Sequence, residues 1–94
     1  MTNEPELTPR WIGVIQRRKL GLTKQQVQAE LVELHRAGQV EGQAVDVLAL
    51  TVLARLRKKN PAAFCEAEKA GADWEAILEF MVQLIEMLLP LILK

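Results

Sequence analysis

Hydrophobic residues recur at helical spacing in five segments of the chain, and none of these segments alternates apolar and polar residues as a strand would. In one segment Val27, Leu31 and Leu34 lie three or four residues apart, which places them on one face of an α-helix. The same spacing continues along most of the chain. The predicted helices span residues 9–20, 24–37, 41–59, 61–70 and 74–93.

Residues that start and stop helices flank these segments. Thr23, with Gln26 three residues later, has the spacing of a capping box, and Asp73 is a second typical N-terminal cap. Asn60 is predicted to cap the next helix, in which Pro61 takes the first position. Glycine supplies the residue after the helix end at Gly21, Gly38 and Gly71.

The connections between the segments are short, which favours antiparallel neighbours in a bundle. A chain of 94 residues is long enough for one domain. The sequence therefore predicts an all-α protein, a compact bundle of about five helices. Residues 1–8 are predicted to form a disordered N-terminal arm, and residues 9–94 a single helical domain.

The third predicted helix carries a broad apolar stripe, so most of it is expected to be buried in the centre of the bundle. Five apolar residues lie close together on one face of this helix: Val45, Leu48, Val52, Leu53 and Leu56. Ala49 and Leu50 make the apolar face wider.

The last predicted helix is apolar around most of its circumference. Its polar residues fall within an arc of about 80°. They are Glu75, Glu79, Gln83 and Glu86. An amphipathic helix needs an apolar stripe only somewhat wider than about 100°, so this helix is either the centre of a monomeric bundle or partly buried against a partner. The width favours a homo-oligomer or a helical protein partner.

The predicted role is therefore structural: a small non-enzymatic helical interaction or oligomerisation module with the C-terminal helix as its main contact surface. Pro90 has no N–H to donate to the carbonyl of Glu86, so the helix is predicted to kink there or to end near Leu89. The residues predicted to form the contact surface, or the core beneath it, are Trp74, Ile77, Phe80, Met81, Leu84, Ile85, Leu88 and Leu89.

The same C-terminal stretch does not have the composition of a transmembrane span. Three carboxylates fall within twelve residues of it, and each would cost roughly 2–3 kcal/mol near the centre of a bilayer. A single cysteine, Cys65, excludes an internal disulfide and indicates a reducing, cytoplasmic setting. Cys65 is expected to be a small buried residue.

Candidate catalytic and metal-binding residues are sparse. His35 is the one histidine, and its place on the second predicted helix is typical of a surface residue. There is no glycine-rich phosphate loop, no HExxH motif and no Glu-x-x-His pair for a di-metal site. We therefore predict no enzymatic activity, no metal site and no cofactor.

The formal net charge of zero hides two basic clusters in the first 60 residues, which hold ten basic and six acidic residues. If the first and third predicted helices end on the same side of the fold, the clusters form one patch able to neutralise phosphates. A small nucleic-acid-binding regulator is therefore the alternative function, although the neutral charge of the whole chain argues against it. The clusters consist of Arg17, Arg18 and Lys19, and of Arg55, Arg57, Lys58 and Lys59.

Overall fold

The computed structural model describes residues 17–93 and contains four α-helices joined by short loops. A short helical piece at residues 17–19 precedes them. Residues 17–93 contain no strand, so the predicted all-α fold is confirmed for this part of the chain. The predicted arm at residues 1–8 and most of the first predicted helix lie outside the described residues. The helices are α1 (Lys24–Arg36), α2 (Val45–Lys59), α3 (Pro61–Lys69) and α4 (Trp74–Ile92).

Helix α4 is the centre of the packing, because both α1 and α2 pack against it. Its buried side chains interdigitate with one apolar face from each of the other two helices, as helices do when each removes an apolar stripe from water. The buried residues are Val27, Leu31 and Leu34 of α1, Leu48, Ala49, Val52 and Leu56 of α2, and Ile77, Met81, Leu84, Ile85 and Leu88 of α4.

The helix ends follow the predicted signals at several positions. The backbone N–H of Gln26 donates to the Thr23 hydroxyl oxygen at 3.3 Å, and that of Ala76 donates to the Asp73 carboxylate at 3.2 Å. After α1, Gly38 adopts a φ of +71°, which is open to glycine at little cost. The chain turns there, and the last α1 carbonyls accept hydrogen bonds from the residues that follow.

Helix α2 begins four residues later than predicted. Gly42 has a φ of +79°, and the N–H of Gln43 donates to the carbonyl of Val40 at 3.2 Å, so these residues form a tight turn in place of a helical turn. Asn60 occupies the predicted N-cap position of α3, and Pro61 follows it as the first helical residue, but its side chain does not cap the helix. Its side-chain amide donates to the carbonyl of Lys19 at 3.0 Å and makes no cap hydrogen bond to α3.

Helix α4 continues through Pro90 to Ile92, so the alternative in which it ends near Leu89 is wrong. Proline in the last turn removes only one helical hydrogen bond, that to the carbonyl of Glu86. The helical pattern persists after it, because the N–H of Leu93 donates to the carbonyl of Leu89 at 2.9 Å. A bend at Pro90 stays a prediction.

Two side chains that were predicted to be buried, Cys65 and Leu50, are exposed. Cys65 is exposed, because α3 turns only Phe64 and Ala67 into the core. Leu50 is 54% exposed, because α2 packs through Leu48 and Val52 and a residue two positions from either points away from that face. Not all of the broad stripe on α2 is therefore used within the chain.

Candidate interaction surfaces

The structure divides the eight predicted contact residues between the core and its margin. In the single chain, Ile77, Met81, Leu84, Ile85 and Leu88 are buried. Trp74, Phe80 and Leu89 are partly buried and pack against the same core. The predicted polar stripe of Glu75, Glu79, Gln83 and Glu86 is exposed. The apolar circumference of α4 is thus covered mainly by the chain itself, and only its margins are open.

An open apolar cleft of about 380 Å³ lies where α2, α3 and α4 meet. Its aromatic wall is formed by Phe64 and Trp74, whose rings stack with centroids 5.8 Å apart and an angle of 10° between their planes. Leu50 of α2 also lines the cleft and is more than half exposed. The complete lining is Leu50, Leu53, Ala54, Arg57, Phe64, Glu68, Trp74 and Leu78.

The two charged residues of the cleft lining form an ion pair. Arg57 Nη2 lies 3.2 Å from Glu68 Oε1, and both side chains are well exposed. An exposed pair of this kind contributes little to stability, because water and salt screen it. The pair does place one positive and one negative side chain beside the apolar lining of the cleft.

Apolar residues near the end of α4 are exposed as well. Met87 is 60% and Leu91 is 55% exposed, and their spacing of four residues places them on one face. Neither was among the predicted contact residues. Met87 is next to the predicted polar stripe on the helical wheel, which was the available signal for its exposure. Leu91 is not, and it is exposed in the last turn of α4.

The ends of the two helices that carry the basic clusters lie together. The hydrogen bond from the Asn60 side chain to the carbonyl of Lys19 joins the residue after α2 to the helical piece at residues 17–19. The described end of the first basic cluster therefore lies next to the end of α2, and a single basic patch stays a prediction. Arg17 also lies over the ring of Phe80, with its guanidinium carbon 4.5 Å from the ring centroid.

Most of the basic residues of α2 have acidic partners. Arg55 donates to Glu30 Oε2 at 2.7 Å and to Glu33 Oε2 at 2.5 Å, and Lys59 donates to Glu30 Oε1. Lys59 also lies 3.8 Å from Glu33. Within residues 17–93, Lys58 is the one member of this cluster without an ion pair. The charge available to an outside ligand is therefore smaller than the sequence indicated.

Glu30 was not among the predicted site residues. It is only 3% exposed. A buried carboxylate requires partners, because leaving water costs it roughly several kcal/mol. Burial by itself raises the pKa of Glu30, but the hydrogen bonds from Lys59 and Arg55 outweigh burial, and the net pKa is lowered. The signal was its position between Val27 and Leu34 on the apolar face of α1.

Residues 17–93 contain no group of three side chains suited to holding a metal ion. Within the same range no helix combines the length and the apolar character needed to cross a bilayer. His35 is partly exposed on α1, as expected for a surface histidine.

Comparison with known proteins adds no family to these observations. The chain matched no model of a protein family, no curated protein and no solved structure. The surfaces described above are therefore interpreted from their own chemistry.

The buried carboxylate generates a prediction for stability against pH. Near pH 7, Glu30→Gln should lower the free energy of unfolding by about 1–3 kcal/mol, because Arg55 and Lys59 lose a charged acceptor. Glu33→Gln, at an exposed carboxylate, should cost less than about 1 kcal/mol. Because the folded pKa of Glu30 is lowered, its contribution is present above the ordinary glutamate pKa and is lost as the pH falls through the folded value.

Urea denaturation followed by circular dichroism, at about pH 7 and about pH 3, measures this difference. The wild type and Glu30→Gln should differ clearly at the higher pH and converge at the lower one. Equal costs for Glu30→Gln and Glu33→Gln near pH 7 would contradict a structural role for the buried ion pair.

Proposed function

We propose that this chain is a small non-enzymatic helical interaction module. The C-terminal helix α4 takes part in the main contact surface together with α2. The single observation that carries the proposal is the open cleft between these helices, with Leu50 more than half exposed beside the Phe64–Trp74 stack. Contiguous apolar surface of this kind is typical of sites where proteins meet.

The chemistry of the cleft fits an apolar helix face. Six of its eight lining residues are apolar, and each square ångström of apolar surface that leaves water contributes about 25 cal/mol. A helical partner that places side chains three or four residues apart along the cleft would bury Leu50, Trp74 and Leu78 together. The exposed pair Met87 and Leu91 lies further along α4 and on another side of it, so it is separate from the cleft.

The proposal includes a cytoplasmic setting and a partner that is either a second copy or another helical protein. The lone cysteine supports the reducing compartment, because proteins of oxidising compartments typically pair their cysteines. No cofactor is part of the proposal. The role is structural, in that the chain contributes a surface and leaves chemistry to other proteins.

The cleft can be tested with the dye anilinonaphthalene sulfonate, whose fluorescence rises on apolar surface. At protein concentrations where light scattering gives the mass of a single chain, the wild type should bind the dye. Leu50→Glu should reduce binding several-fold, because it places a charge at the cleft. Gln83→Glu adds the same charge on the exposed stripe of α4 and should leave binding unchanged.

Both variants should retain the helical circular dichroism and the unfolding midpoint of the wild type, because residues 50 and 83 are exposed. Equal dye binding by Leu50→Glu and Gln83→Glu would contradict the proposal that the cleft is the contact surface.

Nucleic-acid binding is the second candidate, and the contact between Asn60 and Lys19 is the observation that favours it. This contact brings Lys19 close to the end of α2, where Lys58 and Lys59 lie. The ion pairs of Arg55, Arg57 and Lys59 weaken this candidate, because those cations already face carboxylates.

A fluorescent oligonucleotide of mixed sequence tests this second function. If it holds, binding should weaken steeply as salt rises, and the double variant Arg17→Glu/Arg18→Glu should abolish it. Arg36→Glu changes an exposed cation at the far end of α1 and should preserve binding. Absence of binding at low salt, or binding that ignores the double variant, rules out the basic clusters as a nucleic-acid surface.

A further inference from the structure

We propose that the partner at the cleft is a second copy of this chain, held by antiparallel packing of the two α2 helices about a twofold axis near residue 52. The inference rests on the proposed function, because it names the occupant of the same cleft. It is carried by the pattern of exposed residues along α2, which is complementary to itself in shape and in charge.

Helix α2 has two apolar faces, and the described part of the chain covers only one. Leu48, Val52 and Leu56 form the buried face. Val47 and Leu50 are exposed large apolar residues, and Ala54 is exposed as well. Positions 47, 50 and 54 are spaced three and then four residues apart, which is the spacing of a seam between two packed helices.

An antiparallel arrangement about residue 52 matches large side chains with small ones. Residue 50 of one copy then lies opposite residue 54 of the other, so that Leu50 meets Ala54 twice across the axis. A large residue opposite a small one allows two helices to approach closely without a void. In a parallel arrangement Leu50 would face Leu50 and Ala54 would face Ala54. The two leucines would then crowd the contact, and the two alanines would leave a gap.

The charges along α2 favour the same orientation. Asp46 and Arg57 are eleven residues apart, so about three helical turns separate them and they lie on the same edge of the helix. In the antiparallel pair residue 58 of the other copy is level with Asp46, and Arg57, one residue away on the same edge as Asp46, can reach its carboxylate. A parallel pair would bring like charges together. Arg57 has a well-exposed side chain, and its pair with Glu68 leaves its other guanidinium donors available.

The second copy also accounts for the cleft beside the seam. Leu50, Ala54 and Arg57 belong to both, so a helix laid along the seam also covers the cleft in front of Trp74 and Leu78. A twofold contact requires one patch to supply every complementary feature. This patch has a protruding leucine, a cavity, a cation and an anion, and the chain has no net charge to keep copies apart.

A charge exchange tests the proposal in the full chain. Sedimentation equilibrium over a wide concentration range should give a dimer for the wild type. Asp46→Arg and Arg57→Asp should each raise the dimer dissociation constant about tenfold, because each places two pairs of like charges at the contact. The double variant Asp46→Arg/Arg57→Asp restores opposite charges and should return the constant to within about threefold of the wild type.

Two further variants locate the contact. Leu50→Glu should give single chains, and Leu91→Glu, at an equally exposed leucine of α4, should leave the dimer intact. Circular dichroism must show all variants folded, because Asp46 also accepts a hydrogen bond from the N–H of Val47 at 2.9 Å. A dimer that survives Leu50→Glu, or a double variant that fails to restore association, overturns the α2 pairing.

A wild type that stays a single chain at every concentration also overturns the inference. In that case the dye measurement separates the two proposals. Dye binding that Leu50→Glu removes would leave the cleft as a site for a different helical protein, whereas absence of both dimer and dye binding would overturn the proposed function as well.

Discussion

The apolar circumference of α4 determines how the other helices are arranged. A helix of this composition is stable in water only if other elements cover it, and in a chain of 94 residues few elements are available. Helices α1 and α2 both pack on it, and each uses its most regular apolar face to do so. Because α2 is apolar on more than one face, covering α4 leaves Val47 and Leu50 in water. The open cleft is thus a consequence of how the core is built.

The ion pairs between α1 and α2 are the second element of the same packing. Glu30 lies on the face of α1 that turns towards the core, and Arg55 and Lys59 reach it from the end of α2. These pairs fix α1 against α2 with opposite chain directions, because a shift along either helix would leave a buried carboxylate without partners. They also neutralise cations that would otherwise form a stronger basic patch. The packing of the bundle therefore reduces the positive charge available to bind a phosphate group.

The sequence predicted the helices well because their ends carry local signals. Thr23 and Asp73 form their predicted hydrogen bonds within three residues, and nothing distant is needed to specify them. Features that depend on distant residues were not predictable. Asn60 bonds Lys19 across the fold, Leu50 turns outward because Leu48 and Val52 meet α4, and Glu30 is buried only because α2 supplies cations. For α4, periodicity showed how wide the apolar face is, but not which part α1 and α2 cover.

Nuclear magnetic resonance can follow the backbone amide signals of the ¹⁵N-labelled chain as the protein concentration is raised, and so identify the residues at which two chains meet. Association through the open face of α2 should shift the signals of Val47, Leu50, Ala54 and Arg57, while those of Met87 and Leu91 stay fixed. Shifts confined to the end of α4 would contradict the claim that the uncovered face of α2 is the contact surface, and so would a spectrum that does not change with concentration.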